Sequence, residues 1–241
     1  MSRVDGRKSD ELRELAIVPG VSPYAEGSVE ICYGRTKVLV TATVESEIPE
    51  WLQGKGRITS EYGMLTRSTH TRNKREVGKQ SGRTLEIQRL IGRSLRQAVD
   101  LKALGAVSIR IDCDVLVADG GTRTAAISGG WVALVQALRF AEREGMITPG
   151  CQLRQVAAVS VGVVEGQSLL DLCYEEDSQA DFELNLIYRD DGKIIEIQGC
   201  GEKAPLELEQ VVELSKLAKA GCERIFKAQS EALSSLGQDL S

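Results

Sequence analysis

The chain has 241 residues, and its 30 Lys and Arg residues against 35 Asp and Glu residues leave a formal net charge of −5. That balance argues against a nucleic-acid-binding protein, whose usual signature is an excess of basic residues. With 42% hydrophobic and 27% charged residues, the sequence is not typical of an intrinsically disordered protein and can bury a sizeable core.

The sequence carries no signal for a membrane or for secretion. No apolar run approaches the roughly 18 residues that a membrane-spanning helix needs. Residues 1–8 are charged and lack the apolar segment of a secretory signal. The sequence therefore predicts a cytoplasmic protein that does not associate with membranes.

The net charge conceals a segregated distribution. Between Lys55 and Arg96, eleven basic residues stand against three acidic ones, a net charge of +8, so the rest of the chain carries −13. Charges act over a screening length of roughly 10 Å, so this basic island has a local field of its own. The island, and not the average, is the feature that a function must explain.

The sequence offers few cysteine or histidine residues in patterns typical of metal binding or catalysis. The six cysteines show neither a CxxC pair nor the spacing of a zinc site, and they are expected to be small core residues. His70 is the only histidine, so histidine base catalysis is expected only if His70 itself provides it. The cysteines are Cys32, Cys113, Cys151, Cys173, Cys200 and Cys222.

The first predicted element is a β-hairpin. β-Branched residues dominate 28–33 and 36–44, which flank a Gly34-Arg35 turn. The following residues, 48–80, are rich in Gly, Pro, Thr, Ser and Arg and predict a long loop. Loops of that length in a folded protein are usually functional or disordered.

A helix and a strand are predicted next. Apolar residues at helical spacing predict a helix over 84–104, and a period of two predicts a strand over 107–117. The opposite side of that helix carries Arg89, Arg93 and Arg96.

The rest of the chain repeats this order of strands and then a helix. The pattern predicts an α+β fold of mixed sheets packed with helices, in a single domain over 1–241 with its core at about 10–235 and two halves that resemble each other. The predicted elements are a helix over 125–144, strands over 156–164, 168–174, 182–188 and 193–198, and a C-terminal helix over about 206–233, interrupted at Gly221.

Two predicted helix starts present Gly, Arg and Thr together. Gly120, Gly121, Thr122 and Arg123 precede one helix, and Arg83 lies in a similar Gly-Arg-Thr run before another. Helix N-termini and arginine forks favour phosphate, so two such starts side by side would hold one anion. The alternatives are an ordinary glycine turn with a threonine cap, and arginines that merely pair with nearby carboxylates.

Two further segments bear charge of opposite sign. The acidic residues of 171–185 can converge on Mg²⁺, although an acidic turn can equally be only solvated. The basic loop at 61–75 matches a tract that grips a nucleic-acid backbone, or a subunit interface rich in arginine. Aromatic residues make up only 4% of the chain, which favours backbone gripping over base stacking.

Long runs of the sequence resemble the ribonuclease PH family of phosphate-dependent 3′-to-5′ exoribonucleases. The resemblance covers nearly the whole chain, in one order. It is carried by GRKSDELR at 6–13, AEGSV at 25–29, TKVL at 36–39, EYGML at 61–65, RSTHTRN at 67–73, GRTLEIQRLIGRSLR at 82–96, DCDV at 112–115 and ADGGTRTA at 118–125.

The resemblance implies a role for each matching residue. It implies inorganic phosphate as the attacking co-substrate, a Mg²⁺ ion, and RNA gripped by the basic loop. The implied phosphate-binding residues are Arg83, Gly121, Thr122 and Arg123, the RNA-binding residues are Arg67, Arg72 and Arg75, and the catalytic and metal-associated carboxylates are Asp177 and Glu183, with Arg83 and Arg123 also counted as catalytic.

The resemblance also implies a fold, an assembly and a reaction. The fold is like that of ribosomal protein S5 domain 2, and the assembly is a ring-forming homohexamer built as a trimer of dimers. The reaction trims the 3′ ends of tRNA precursors and other RNA, including ribosomal RNA, releasing nucleoside 5′-diphosphates, and it is reversible.

The sequence departs from the family pattern at three places. Glu183 stands where the family commonly has Asp, Ser81 stands where Gly is usual, and residues 199–206 stray from the usual run. A Glu at position 183 can still bind Mg²⁺ with its side chain longer by one methylene, and the departures at Ser81 and 199–206 are expected to affect packing more than chemistry. Two alternatives remain open, a non-catalytic RNA-binding subunit of an exosome-like ring and a hydrolytic nuclease that uses water.

Overall fold

The chain forms two β-sheets and four helices in a computed structural model that describes residues 3–46, 54–150, 153–201, 203 and 205–236. This is the α+β architecture that the sequence predicts. In chain order the elements are β1 (Leu15–Pro19), β2 (Gly27–Tyr33), β3 (Thr36–Glu45), β4 (Arg57–Met64), α1 (Gly82–Arg96), β5 (Ser108–Val117), α2 (Thr122–Arg143), β6 (Val156–Val164), β7 (Gln167–Leu170), α3 (Tyr174–Gln179), β8 (Phe182–Arg189), β9 (Ile194–Cys200) and α4 (Leu208–Ser235).

The first sheet has the strand order β1-β2-β3-β5-β4. It contains the predicted hairpin, β2 and β3, in which apolar side chains at every second position face the core. Strand β5 pairs antiparallel with β3 and parallel with β4, and α1 connects β4 to β5. Strand β5 ends at Val117, and a short loop leads from there to the start of α2 at Thr122.

Helix α2 is the central helix of the fold. Sixteen of its 22 residues are buried, and it packs against β2, β3 and β5 of the first sheet and β6 of the second. Gly129 permits a close approach, because a Cβ there would lie 2.8 Å from the Cγ2 atom of Ile31. Contacts with both sheets hold the N-terminus of α2 in place.

The second sheet is antiparallel, with the order β7-β6-β8-β9. Helix α4 packs against β6, β7 and β8 and also reaches β1. The predicted likeness of the two halves is therefore partial, because one sheet is mixed and five-stranded and the other is antiparallel and four-stranded. None of the helices in the described ranges is long and apolar enough to span a membrane.

Several boundaries differ from the sequence prediction. The predicted loop at 48–80 contains β4, which buries Ile58 and Tyr62 with the period of a strand, while its polar neighbours hide that pattern. Residues 48–53 of that loop lie outside the described residues. Helix α1 ends at Arg96, eight residues before its predicted end, and the apolar residues after it are buried in turns.

The second half brings three more corrections. The strand predicted at 168–174 ends at Leu170, and Tyr174 begins the unpredicted short helix α3. Helix α4 runs through Gly221 without a break. A Cβ at this position would lie 2.8 Å from Leu170, so the glycine allows the helix to pack closely there. Strand β1 was also not predicted from the sequence.

The prediction that the cysteines lie in the core holds for part of the set. Three are buried, Cys32 is half-buried, and Cys200 is exposed at the end of β9. Cys151 lies outside the described residues. The buried three are Cys113, Cys173 and Cys222.

Candidate active site

An open pocket of about 790 Å³ lies where the first turns of α1 and α2 meet α3, β8 and β9. Four predicted phosphate-binding residues and both predicted carboxylates line it. The structure thus brings together residues that are up to 100 positions apart in the sequence. The six are Arg83, Gly121, Thr122, Arg123, Asp177 and Glu183.

The phosphate loop, residues 119–123, enters α2 through two glycines in the left-handed region. Gly120 has φ +76° and Gly121 has φ +68°, conformations that side-chain-bearing residues rarely adopt. A Cβ on Gly120 would also lie 2.5 Å from the carbonyl oxygen of Leu172. Glycine is therefore required there both by the backbone conformation and by the close approach of the second half of the chain.

The start of α2 offers free hydrogen-bond donors to the pocket. Gly121 is the N-cap of α2, and its lack of a side chain leaves the first turn uncapped. Within the described residues, no acceptor takes the amide hydrogens of Thr122 or Arg123. An uncapped helix N-terminus of this kind favours an anion.

Tyr62 on β4 orients the threonine of this loop. Its hydroxyl lies 2.9 Å from the Oγ1 atom of Thr122, and both residues are buried. Burial raises the pKa of Tyr62, so the phenol stays protonated. The sequence analysis missed Tyr62, although it lies within the EYGML run of the family resemblance.

The two phosphate arginines have different surroundings. Arg83 is exposed in the first turn of α1 and forms no hydrogen bond or ion pair with any residue that the structure describes. Arg123 donates to the side-chain oxygen of Gln198, whose amide in turn donates to Glu86. Neither arginine is neutralised by a direct carboxylate partner in the described chain, so both guanidinium charges remain available to an anion.

Ser81, one of the departures from the family pattern, caps α1. Its hydroxyl accepts a hydrogen bond of 3.2 Å from the backbone amide of Thr84. This contact strengthens the start of the helix that carries Arg83. Of the third departure, residues 199–206, Glu202 and Ala204 lie outside the described residues.

Asp177 and Glu183 also line the pocket and form a carboxylate pair. The pKa of Asp177 is raised to about 7, first by burial and then by repulsion from the adjacent Glu183 and a hydrogen bond between the two carboxyl groups. Arg123 and Arg83 act in the opposite direction, which places both arginines within electrostatic reach of Asp177. Asn185 donates a 2.7 Å hydrogen bond to Glu183 and fixes its orientation.

This pair fits a magnesium ion. Two carboxylates held close together repel each other and favour a cation or a shared proton. The described residues contain no group of three or more His, Cys, Asp or Glu side chains arranged for a metal. Mg²⁺ commonly binds one or two carboxylates and completes its shell with water and phosphate oxygens, so the donor set is suitable.

Two other carboxylates of the acidic segment have structural partners. Asp171 pairs with Arg13 at 2.6 Å, and Glu176 pairs with Arg3 at 2.7 Å, with all four side chains buried. The sequence could not show this, because the arginines lie more than 150 positions away. Of the six carboxylates of the acidic segment, two therefore line the pocket and two are buried in ion pairs.

The basic loop lies at the edge of the pocket. Its backbone is anchored to the end of β5, where the Ala118 amide donates to the Ser68 carbonyl at 2.8 Å. Thr69, His70 and Thr71 line the pocket. The three predicted RNA-binding arginines do not line it; they are exposed and form no ion pair with a described residue. These are Arg67, Arg72 and Arg75.

Part of the basic island has a structural role. Arg93 forms an ion pair of 2.7 Å with Glu196 on β9, and Arg96 donates to the carbonyl of Ile58 at 3.0 Å. The predicted basic face of α1 is thus partly neutralised. Positive charge without a carboxylate partner among the described residues remains on the loop, on Arg83 and on Arg89.

Comparisons with known proteins agree with this geometry. The 3′ exoribonuclease family matches in two parts, its domain 1 over residues 11–139 and its domain 2 over residues 154–221. Ribonuclease PH of Maricaulis maris (strain MCS10) is 53% identical over 235 residues, which cover 96% of this chain and 99% of that protein.

Solved structures share the fold. Rice (Oryza sativa) Rrp46 superposes with a TM-score of 0.80 at 20% identity, over 96% of this chain and 100% of that one. A chain of the Archaeoglobus fulgidus exosome with RNA bound to the active site has a TM-score of 0.76 at 25% identity, over 94% of this chain and 91% of that one. The resemblance seen in the sequence is confirmed: the chain belongs to the ribonuclease PH family of 3′ exoribonucleases.

Proposed function

We propose that this protein is a phosphate-dependent 3′-to-5′ exoribonuclease that trims the 3′ ends of tRNA precursors and other RNA. The observation that carries the proposal is the convergence of an anion site and a carboxylate pair in one pocket. The family membership and the 53% identity to a ribonuclease PH support it. A cytoplasmic location is part of the proposal.

The attacking group in this reaction is inorganic phosphate. Arg83 and Arg123 bind its oxygens, and the hydroxyl of Thr122 and the first amides of α2 orient it. An oxygen of hydrogenphosphate attacks the last phosphodiester, the bond from phosphorus to the 3′ oxygen breaks, and the proton of hydrogenphosphate ends on the released 3′ hydroxyl. The products are a nucleoside 5′-diphosphate and an RNA that is one nucleotide shorter.

Charge neutralisation is the main catalytic task of the pocket, because one anion attacks another. No histidine base is needed, since bound hydrogenphosphate is already a competent nucleophile. Asp177 and Glu183 are the residues that would hold Mg²⁺, and the hydrogen bond from Asn185 holds the Glu183 carboxylate in place. When bound, the ion offsets negative charge on the scissile phosphate.

The decisive assay uses RNA with a free 3′ end, with and without phosphate. We expect nucleoside diphosphates only when phosphate is present, and polymerisation when nucleoside diphosphates are supplied in excess. Release of nucleoside monophosphates without phosphate would instead identify a hydrolytic nuclease. RNA binding without any product would identify the non-catalytic ring subunit.

We propose further that the chain assembles as a homohexamer, a trimer of dimers. Arg67, Arg72 and Arg75 are exposed beside the pocket rather than in it. In a ring, the loop of one subunit lies beside the active site of its partner, where it can hold the RNA backbone. Sedimentation or mass photometry measures the assembly directly, and a species of one or two chains would contradict the ring.

Replacing Arg67, Arg72 and Arg75 together by alanine is expected to weaken RNA binding while the KM for phosphate stays unchanged. Each lost phosphate contact on single-stranded RNA reduces the slope of log K against log salt by about 0.7, so the slope falls by roughly two. Filter binding at several salt concentrations measures it. The matched control is Arg143→Ala, because Arg143 is an exposed arginine at the far end of α2. An unchanged salt slope in the triple variant would refute the role of the loop in RNA binding.

A further inference from the structure

Two buried residues that do not line the pocket, Arg13 and Thr36, hold the phosphate loop by hydrogen bonds. Arg13 donates from its Nη1 atom to the Asp119 carbonyl at 2.5 Å and from Nη2 to the Gly120 carbonyl at 3.4 Å. The hydroxyl of Thr36 donates to the same Gly120 carbonyl at 2.6 Å and accepts from the Asp119 amide at 2.9 Å. Two successive carbonyls of the loop are thus turned away from the pocket.

This orientation determines where the amides of the glycines point. In a trans peptide the N–H and the C=O point in opposite directions, and no cis peptide occurs in the described residues. With the carbonyls of Asp119 and Gly120 held by Arg13 and Thr36, the amide hydrogens of Gly120 and Gly121 point the other way. Both glycines line the pocket, and no described acceptor takes either amide.

The guanidinium of Arg13 is itself immobilised by Asp171. The Asp171 carboxylate accepts from the Arg13 backbone amide at 2.8 Å, from Nε at 3.0 Å and from Nη2 at 2.6 Å. The two side chains are 4% and 1% exposed. A buried ion pair of this kind contributes little net stability compared with apolar packing, so its planar, bidentate geometry is better explained by positioning.

Asp171 also connects this support to the carboxylate side of the pocket. It adopts φ +55°, unusual for a residue with a side chain, and the next residue, Leu172, presents its carbonyl to Gly120. Helix α3, which carries Asp177, begins three residues after Asp171. One buried ion pair therefore links the phosphate loop to the segment that leads to the metal-binding carboxylate.

We propose that Arg13, Asp171 and Thr36 are positioning residues that set the phosphate affinity of the active site by turning the Gly120 and Gly121 amides toward the bound anion. They do not touch the substrate; they act through the loop. The inference rests on the proposed function, because it assigns these residues a role in binding the attacking phosphate.

The first test is Thr36→Val, which keeps the volume of a fully buried side chain and removes only its hydroxyl. We expect the KM for phosphate to rise about tenfold, the effect of weakening one hydrogen bond to a charged ligand. The kcat at saturating phosphate and the KM for RNA stay near wild type, because uniform binding of phosphate is lost. Thr36→Ser restores the hydroxyl and the KM.

The second test is Arg13→Lys, which keeps the charge opposite Asp171 but cannot reach both loop carbonyls with a planar fork. It is expected to raise the KM for phosphate in the same way. Ile31→Val, a buried substitution on the neighbouring strand, is the control for a loss of stability alone. It lowers the melting temperature without changing either KM.

These outcomes separate the inference from the proposed function. If the wild-type protein releases no nucleoside diphosphate with phosphate, the proposed function fails. If it does and Thr36→Val leaves the KM for phosphate unchanged, or lowers kcat without a change in that KM, the positioning role is refuted. A KM for phosphate that rises equally in Ile31→Val would also refute the positioning role. If Arg13→Lys does not fold, the result for Thr36→Val alone tests that role.

Discussion

Arg83→Ala is expected to lower kcat/KM for phosphorolysis about 10³-fold, the loss typical of removing a principal charge-stabilising donor. Arg83 is exposed in the first turn of α1, lines the pocket and has no partner among the described residues. Its charge is therefore free to neutralise the attacking phosphate. RNA binding persists in this variant, because the basic loop remains.

The measurement is the rate of nucleoside diphosphate release over a range of phosphate concentrations, together with RNA binding by filter retention. Arg89→Ala is the matched control, since Arg89 lies on the same helix, is exposed and does not line the pocket. It should behave like the wild-type protein. An Arg83→Ala variant with normal turnover at low phosphate would show that the anion binds elsewhere.

Asp177→Asn is expected to have the second large effect, a loss of about 10³-fold in activity at saturating Mg²⁺. The asparagine retains the size of the side chain but removes half of the negative charge that would hold the ion. Glu183→Gln should act in the same direction, whereas Glu183→Asp retains a carboxylate and a large part of the activity. Glu175→Gln, at an exposed position of α3, is the control.

A direct measurement of metal binding distinguishes a lost ligand from a damaged pocket. Mn²⁺, used in place of Mg²⁺ because it is paramagnetic, can be titrated by electron paramagnetic resonance without RNA or turnover. Its affinity should fall in Asp177→Asn and Glu183→Gln and stay constant in Glu175→Gln. Chelation by EDTA should abolish the wild-type reaction; full activity after chelation would rule out a metal-dependent reaction.

The helix starts of the active site were predictable from sequence. A glycine that allows a left-handed turn, an arginine and a threonine at the beginning of a helix form a local signal, which depends on neighbours in the chain. Arg83 and the run from Gly121 to Arg123, predicted from the sequence to bind phosphate, line one pocket in the structure. That they face one pocket depends on the packing of α1 beside α2.

The carboxylates were less predictable. From local pattern alone, the acidic segment is compatible both with a metal site and with a solvated turn. The family resemblance selected Asp177 and Glu183, and the structure shows the physical difference. Asp171 and Glu176 are neutralised by arginines from the first 13 residues, while Asp177 and Glu183 face each other in the pocket.

Some residues that support the active site could have been predicted from the sequence, and others could not. Asn185 lies two residues after Glu183 on β8, so strand alternation places both side chains on one face and could have indicated their contact. Arg13 gave no such sign, because its partners Asp119 and Asp171 are more than 100 positions away. Tyr62 was hidden because β4 lies within a polar segment that resembles a loop.

The basic island also combines a property that the sequence shows with one that only the structure shows. Its +8 charge is a property of the sequence alone, and it marked the segment that contains the loop and Arg83. Only the tertiary structure separates the charges that stay free from Arg93 and Arg96, which bind Glu196 and the Ile58 carbonyl. The sequence by itself thus determined the α+β class, the helix starts and the charged segment, because periodicity and capping act over a few residues. The fold decided which charges are paired and which meet in the pocket, because pairing depends on contacts between residues far apart in the chain.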